Sequence, residues 1–322
     1  MKQRNIGASD LKVSLLGLGC NNFGDRIDTE ASRKVISKAL DLGITFFDTA
    51  DVYGKRGGSE TCLGQFLGNR RKDIILSSKF GSPMDDTGAM KGASRRYIMT
   101  AVEASLKRLK TDWIDLYQMH HLDPLTPIEE TLRALDDLVR QGKIRYIGCA
   151  TVAAWQLVGI QWTARHHGLN PLVSCLAEYS LVARDPEREL IPALQAYGVG
   201  LLPYYPLASG FLTGKYQRGA PLPDGARITK GKRYADMYLT EVNWTRLERL
   251  QAFCKERGRT LLELAFGWLA AQPVVASVIA GATKPEQLEQ NFKAVDWELT
   301  PQDLTEIDQG FASLAPRERE RG

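Results

Sequence analysis

The chain has 322 residues, of which 43% are hydrophobic and 25% are charged, a composition typical of a globular protein and long enough for one barrel-sized domain. Its 42 basic and 38 acidic residues give a formal net charge of +4 and are scattered along the sequence, which argues against a nucleic-acid-binding surface. The five cysteines lie far apart and form no Cys-x-x-Cys pair, which argues against a disulfide framework or a zinc ribbon and favours reduced thiols in the cytoplasm.

No targeting or membrane segment is expected. The N-terminal stretch MKQRNIGASD has no apolar signal core, and the apolar run 274–282 is far shorter than the roughly 20 residues that a membrane span needs. We therefore predict a soluble cytoplasmic protein with no membrane partner. Its oligomeric state cannot be predicted from the sequence.

The chain opens with a predicted hairpin, RNIGASDLKVS, in which GASD forms the turn and the two strands cover one end of the fold. Eight apolar runs follow: VSLLGLG, ITFFDTA, DIILSSK, WIDLYQMH, KIRYIGCA, PLVSCL, VGLLPYY and VASVIAG. Between them, helical periodicity predicts helices that include Glu30–Leu42, Ser59–Asn69, Arg95–Leu109, Pro127–Gln141 and Trp155–His167.

Alternating strands and helices predict parallel pairing with right-handed crossovers, and eight repeats are the number that closes a barrel. We therefore predict an α/β fold, a (β/α)8 TIM barrel with an N-terminal hairpin and C-terminal helices, as one domain over residues 1–322. The polar loop 218–233 and the charged tail 317–322, expected to be a solvated end, do not divide it.

Titratable residues end several of the apolar runs. Asp48 ends the second run, Lys79 the third and His120 the fourth, and Tyr53 lies in the loop just past Asp48. The carboxyl ends of barrel strands meet at one rim, so these residues are candidates for catalysis. Lys79 is expected to pair with Asp48 and to lower the pKa of the Tyr53 phenol towards the range useful for a general acid. The alternative is a structural ion pair beside an ordinary core histidine.

FFDTADVYG, SSKFG and DLYQMHH resemble the Asp, Tyr, Lys and His motifs of the aldo/keto reductases, which are (β/α)8 barrels that use a nicotinamide cofactor. The similarity extends over nearly the whole chain, because the opening hairpin and the segments YYPLASGFLTGKY and GATKPEQLEQN also resemble that family. The resemblance implies hydride transfer between the cofactor and a carbonyl carbon. Tyr53 would then protonate the oxygen and His120 would orient it, while Lys79 tunes the tyrosine and Asp48 holds the lysine.

The segment GATKPEQLEQN follows the eighth run and begins a helix, whose free N–H groups and positive dipole end suit a phosphate. Lys284 and Arg227 are expected to add charge for a 2′-phosphate, which favours NADP over NAD. The resemblance places Gln287, Gln290 and Asn291 at the adenosine, Lys215 at the diphosphate and Tyr204 against the nicotinamide; a barrel-core aromatic is the alternative for Tyr204. The full predicted cofactor set is Gly19, Cys20, Asn21, Asp48, Ala150, Thr151, Leu176, Tyr204, Tyr205, Pro206, Leu207, Ser209, Gly210, Lys215, Arg227, Gly281, Thr283, Lys284, Gln287, Gln290 and Asn291.

Two other features of the sequence are assigned no function. Gly17-Leu18-Gly19 is followed by Asn22 at the third glycine position and by no acidic ribose partner at suitable spacing, which argues against a Rossmann fold. His121 is expected to point to the opposite side of its strand from His120 and receives no role. No metal site is predicted.

The sequence departs from the family pattern beside the expected nicotinamide. Many members carry Ser-Asn after the fifth strand and Gln on the sixth, where this chain has Ala150-Thr151 and Leu176. Two or three hydrogen bonds of about 1 kcal/mol each would be missing, which is expected to weaken or reorient the cofactor without abolishing its binding.

Two functions remain. The first is a reductase or dehydrogenase of small carbonyls, alcohols or polyols, with a substrate set by the loops after the strands. The second is an NADP-binding module that reports redox state to a partner, as the family's potassium-channel β subunits do. The chain begins just before the hairpin, without a preceding extension, which favours the enzyme.

Overall fold

The structure, a computed structural model, describes residues 1–312, so the charged tail 317–322 lies outside the described residues. Eight parallel strands follow an N-terminal hairpin, as predicted. The hairpin strands are β1 (Gln3–Asn5) and β2 (Lys12–Ser14), and the barrel strands are β3 (Leu16–Gly19), β4 (Phe46–Asp48), β5 (Ile75–Phe80), β6 (Ile114–Met119), β7 (Ile144–Ala150), β8 (Leu172–Glu178), β9 (Gly200–Tyr204) and β10 (Val278–Gly281).

Helices follow the barrel strands. They are α1 (Thr29–Asp41), α2 (Tyr53–Phe66), α3 (Arg95–Leu109), α4 (Ile128–Arg140), α5 (Ala154–His166), α6 (Leu190–Tyr197), α7 (Lys232–Tyr238), α8 (Glu241–Glu256), α9 (Leu261–Ala271), α10 (Pro285–Ala294) and α11 (Pro301–Ala312). The five helices predicted by periodicity are all present; α3 has the predicted bounds.

The barrel strands pair in the order β10-β3-β4-β5-β6-β7-β8-β9, and every pair is parallel. The two outer strands meet just before β10, where the N–H of Leu201 donates to the carbonyl of Val274 at 2.8 Å and the N–H of Ala276 donates to the carbonyl of Leu201 at 3.0 Å. The sheet therefore closes almost completely, and the predicted (β/α)8 barrel is confirmed.

The N-terminal hairpin packs against the interior of the barrel. Its side chains Ile6, Leu11 and Val13 are buried in one cluster with Phe46 and Leu116 from barrel strands. Gly7 lies in the turn with φ of +56°, and a Cβ there would come within 2.2 Å of the carbonyl oxygen of Gly198. The hairpin thus closes the end of the barrel opposite the carboxyl ends of the strands, which leaves that other rim for chemistry.

Side-chain caps fix where several helices begin. Asp28 accepts a hydrogen bond from the N–H of Ala31 at 2.8 Å, and Ser94 accepts one from Tyr97 at 3.3 Å. Each cap satisfies a backbone donor that a helix start would otherwise leave free. The strand-to-helix loops therefore end at defined points above the barrel.

The regular part of helix α2 begins at Gly58, one residue before the predicted Ser59, and a tight turn precedes it. Residues 54–57 have φ values between +57° and +115°, and regular helix follows them. Gly54 is required in this turn because its φ is +68° and a Cβ would meet the carbonyl oxygen of Phe23 at 2.4 Å. The tight turn holds Tyr53 directly above the end of β4.

Candidate active site

Three strand ends bring titratable side chains to one rim. Asp48 is the last residue of β4, Lys79 lies near the end of β5, and His120 follows β6 immediately. The register pairs Asp48 with Ser77 and Lys79 with Gln118, so the strands reach the rim at similar heights. The sequence prediction that these residues converge agrees with this geometry.

Asp48 and Lys79 form a buried ion pair. The Lys79 Nζ donates to Asp48 Oδ2 at 2.6 Å and to the carbonyl of Thr49 at 2.9 Å. The side chain of Lys79 is 1% exposed and that of Asp48 is 6% exposed. Burial lowers the pKa of Lys79, but Asp48 and Tyr53 raise it by more, so the net shift is upward. Lys79 is therefore a permanent ammonium at neutral pH.

A hydrogen-bonded chain supports Asp48 from within the barrel. Ser77 Oγ donates to Asp48 Oδ1 at 2.9 Å, Gln118 Nε2 donates to Ser77 Oγ at 2.7 Å, and Ser174 Oγ donates to Gln118 Oε1 at 2.9 Å. All four side chains are buried. Because each polar group has a partner, the carboxylate is held in one position.

Tyr53 lies against both Lys79 and His120. The Lys79 Nζ is 5.0 Å from the centroid of the phenol ring, and the His120 ring meets that ring edge-on at 5.6 Å between centroids. Burial raises the pKa of Tyr53, while Lys79 acts in the opposite direction. The expected net lowering of this pKa is therefore wrong, because the desolvation of the phenolate exceeds the attraction of the ammonium.

His120 is held as a neutral imidazole. Burial, the nearby Lys79 charge and His121 lower its pKa to about 3. Its Nδ1 lies 3.2 Å from Ser82 Oγ, a hydrogen bond that orients the ring. A neutral ring in this position can donate or accept a hydrogen bond without carrying charge.

His121 lies on the same side as His120, contrary to the prediction. The two rings stack with centroids 4.8 Å apart and an angle of 2° between their planes, and both line the same cavity. Strand β6 ends at Met119, so the alternation of side chains across a strand does not extend to these residues. The predicted run WIDLYQMH ended at His120, and the strand ends one residue earlier.

One cavity of about 1000 Å³ opens at this rim and is lined by Tyr53, Lys79, His120 and every residue of the predicted cofactor set. The sequence missed several other lining residues, among them Arg26, His121, Glu178 and Arg233. Arg26 lies in the loop after β3, and Arg233 is the second residue of α7, which follows the long polar loop after β9. Their positions in segments that follow barrel strands were the available signal.

Several basic side chains line the cavity. Lys215, Arg227 and Lys284 line it and form no ion pair with any carboxylate in residues 1–312. Arg227 lies 5.0 Å from the centroid of the Tyr205 ring, and its Nε is buried without a hydrogen-bond partner. Lys284 directly precedes α10, whose N-terminus points its free N–H groups outward from the helix. These features fit the phosphates of a dinucleotide.

A less polar part of the cavity lies at the ends of β7, β8 and β9. Ala150 and Leu176 line it and are each 3% exposed, and Thr151 has a φ of +58°. Tyr204 is half-buried there, and burial raises its pKa. The positions where many family members carry Ser, Asn and Gln thus present two methyl-bearing apolar side chains and one hydroxyl.

No group of three or more His, Cys, Asp or Glu residues within 1–312 is arranged to hold a metal ion. No helix in this range is long and apolar enough to span a bilayer.

Comparison with known proteins gives a consistent result. A family model described as the aldo/keto reductase family matches residues 15–310. The chain is 37% identical to the uncharacterized oxidoreductase YrpG of Bacillus subtilis, over 97% of this chain and 96% of the relative. It is 38% identical to a probable voltage-gated potassium channel subunit beta of Arabidopsis thaliana, over 98% of each chain, and 34% identical to an L-glyceraldehyde 3-phosphate reductase of Escherichia coli O157:H7, over 97% of this chain and 93% of that relative.

Proposed function

The chain belongs to the aldo/keto reductase family, and we propose that it is an oxidoreductase that transfers a hydride between NADP(H) and a small aldehyde, ketone, alcohol or polyol. The observation that carries the proposal is the arrangement of Tyr53 between Lys79 and His120 at the inner end of the cavity. A phenol flanked by a fixed ammonium and a neutral imidazole is equipped to deliver a proton to a carbonyl oxygen.

Each of the four residues has a distinct task. Tyr53 donates its proton to the substrate oxygen during reduction and takes it back during oxidation. Lys79 stabilises the phenolate left by that donation, since its charge lies 5.0 Å from the ring centroid. Asp48 fixes the ammonium through the 2.6 Å hydrogen bond. His120 is neutral and directs the carbonyl oxygen towards Tyr53 by a hydrogen bond.

The residues present fit a dinucleotide. When bound, the reduced nicotinamide supplies the hydride. Lys215 and the start of α10 would hold the diphosphate and adenosine end, together with Gln287, Gln290 and Asn291. Arg227 and Lys284 would recognise a 2′-phosphate, which makes NADP(H) the preferred cofactor. The apolar Ala150 and Leu176 beside the ring are expected to leave it with fewer hydrogen bonds than in many relatives.

One specific substrate candidate is a phosphorylated aldehyde. Arg26 and Arg233 line the cavity and have no ion-pair partner among residues 1–312. A relative is named L-glyceraldehyde 3-phosphate reductase, so glyceraldehyde 3-phosphate and glyceraldehyde form an informative pair of test substrates. The five free, buried cysteines are in keeping with a reducing compartment such as the cytoplasm.

The deciding experiment is steady-state turnover in both directions, with NADPH and NADH on a panel of aldehydes, ketones and sugars, and with NADP⁺ and NAD⁺ on alcohols and polyols. We expect turnover of at least one carbonyl with NADPH. Tight NADPH binding without turnover of any substrate would instead favour the second candidate, a redox-sensing module. That alternative is kept because several relatives are named potassium channel β subunits.

A further inference from the structure

Helix α5 exposes a stripe of large apolar side chains. Trp155 is 74% exposed, Trp162 is 59% exposed and Val158 is 36% exposed. Spacings of three and four residues place them on one face of the helix. The opposite face, which includes Leu157 and Ile160, is buried against the barrel. Helix α5 is therefore apolar on both faces, one in the core and one in solvent.

The exposed face of α5 differs from the outer faces of other helices around the barrel. Helix α1 carries the ion pair Glu30–Arg33, and α4 carries Glu129–Arg133. Helix α5 contains no acidic residue, and within the described range none of its residues forms an ion pair. Two exposed tryptophans on one face without a carboxylate are unusual for a surface that faces only water.

The stripe is self-complementary. Its centre lies between Val158 and Gly159, with Trp155 and Trp162 at nearly equal distances on either side along the helix. If two copies of α5 pack antiparallel about a two-fold axis at this centre, Trp155 of each copy meets Trp162 of the other. Val158 and Gly159 then each lie beside their own symmetry mates at the axis. Such isologous pairing is the commonest form of homodimer.

Gly159 suits the centre of that contact. It is exposed in the middle of α5, and a Cβ built there would meet nothing within 4 Å, so no intramolecular packing requires a glycine. A glycine inside a helix costs about 1 kcal/mol relative to alanine. The close approach of a second helix would explain why this position holds a glycine.

The area of the stripe fits the core of an interface. A tryptophan side chain carries roughly 150–250 Å², so the two exposed rings would bury on the order of 250 Å² per copy. A stable interface buries about 800 Å² per partner. The two rings would supply only the centre of that area, but central tryptophans contribute a large share of the binding energy of an interface. His166 extends the aromatic surface by stacking on Trp162, with centroids 4.9 Å apart.

A lipid surface is a poorer match for the stripe than a second copy of the chain. Only Arg165 and His166 flank the stripe with basic groups, and both lie at one end of it.

We propose that the exposed face of α5 is a homodimer interface, in which α5 packs antiparallel against α5 of a second copy around Val158 and Gly159. Trp155 and Trp162 do not line the catalytic cavity, so the proposal is independent of the function proposed above.

The first test measures mass in solution by sedimentation equilibrium at concentrations up to about 100 μM, where even micromolar association is populated. The wild type should have twice the chain mass of 35.8 kDa. The Trp155→Glu/Trp162→Glu double variant should be a monomer with unchanged circular dichroism, because both side chains are exposed and do not support the core. Leu125→Glu, at a residue that is 89% exposed outside α5, is the matched control and should stay dimeric.

The second test uses a cross-link that depends on the two-fold axis. Helices packed 8–10 Å apart bring facing Cα atoms to within roughly 6 Å, which a disulfide can bridge. All five native cysteines are buried, so Gly159→Cys introduces an exposed thiol that should give a disulfide-linked dimer on mild oxidation with oxidised glutathione. Lys255→Cys on α8 should not. A wild type that is monomeric throughout, a dimer that survives the double tryptophan substitution, or equal cross-linking of the two cysteine variants would overturn the proposal.

Discussion

Lys79 and Asp48 are joined at 2.6 Å in a nearly solvent-free position at the ends of two adjacent strands, with the ring of Tyr53 5.0 Å from the same ammonium. Each charge of the pair is tolerated in the barrel only because the other is present, since an isolated buried charge costs several kcal/mol. The pair therefore links the stability of the barrel to the chemistry of the phenol.

Substituting Asp48→Asn should destabilise the protein by about 3–5 kcal/mol at pH 7, because Lys79 is left as an unpaired buried ammonium. Urea unfolding measures this change. The double variant Asp48→Asn/Lys79→Met should recover much of the loss, since both charges are then gone. The exposed pair Glu30–Arg33 supplies the control: Glu30→Gln should leave the free energy of unfolding almost unchanged. Equal losses for the two single variants would contradict the role assigned to the buried pair.

The pair and its position were predictable, whereas several neighbouring features were not. Apolar runs gave the strand count, and a residue at the end of a run lies at the rim of any parallel barrel. The side on which His121 lies depends on β6 ending at Met119, which hydrophobic periodicity does not reveal. The net pKa of Tyr53 depends on how deeply the surrounding loops bury it, and loop conformation is not encoded in a repeating pattern. Arg26 and Arg233 were missed for the same reason.

His120 should make stability depend on pH below neutrality. Its pKa falls from 6.5 to about 3 on folding, so between these values the unfolded chain binds a proton that the folded protein does not. Stability therefore decreases as pH falls through this window, by about 2 kcal/mol at pH 5 relative to pH 7. Urea unfolding at both pH values should show this contribution in the wild type and its loss in His120→Asn. An identical pH dependence in the two proteins would show that His120 is not held neutral.

Asp51 should have the opposite dependence. It is 1% exposed, neither carboxylate oxygen has a hydrogen-bond partner, and burial followed by the charge of Glu60 raises its pKa to about 8. Between about pH 4 and pH 8 the folded protein holds a proton that the unfolded chain releases, so this group reduces stability as pH rises. Asp51→Asn should stabilise the protein at pH 8 by about 1–3 kcal/mol, since a buried amide also lacks partners. Thermal unfolding at pH 5 and pH 8 tests this, with exposed Asp224→Asn as the control that should change neither value.

Cofactor choice should depend on two basic residues that line the cavity. Lys284→Met and Arg227→Met should each weaken NADPH binding by about 1.5 kcal/mol, roughly ten-fold, and change NADH binding much less, because only NADPH carries the 2′-phosphate. Isothermal titration calorimetry measures both affinities. Lys293→Met, near the other end of α10, should leave the preference unchanged. NADH affinity equal to that of NADPH in the wild type would mean that the phosphate site is assigned wrongly.

Tyr53 should be required for chemistry and dispensable for cofactor binding. Tyr53→Phe removes the proton donor while keeping the ring against Lys79 and His120, so kcat for carbonyl reduction should fall by roughly 10²- to 10⁴-fold. NADPH affinity should change little, since the hydroxyl is assigned to the substrate oxygen. Because burial raises the pKa of Tyr53, the phenol stays protonated through neutral pH, and reduction by the wild type should not lose rate there through its ionisation.

Lys79→Met tests the same mechanism through the partner of the phenol. Without the ammonium, the phenolate formed by proton donation loses its stabilising charge, so the pKa of Tyr53 rises further and alcohol oxidation, which needs the phenolate, should require higher pH. The pH profile of oxidation should therefore shift as well as fall in height. Steady-state rates across pH with the best substrate pair measure both effects. A Tyr53→Phe enzyme that reduces its best carbonyl at nearly the wild-type rate would exclude Tyr53 as the acid.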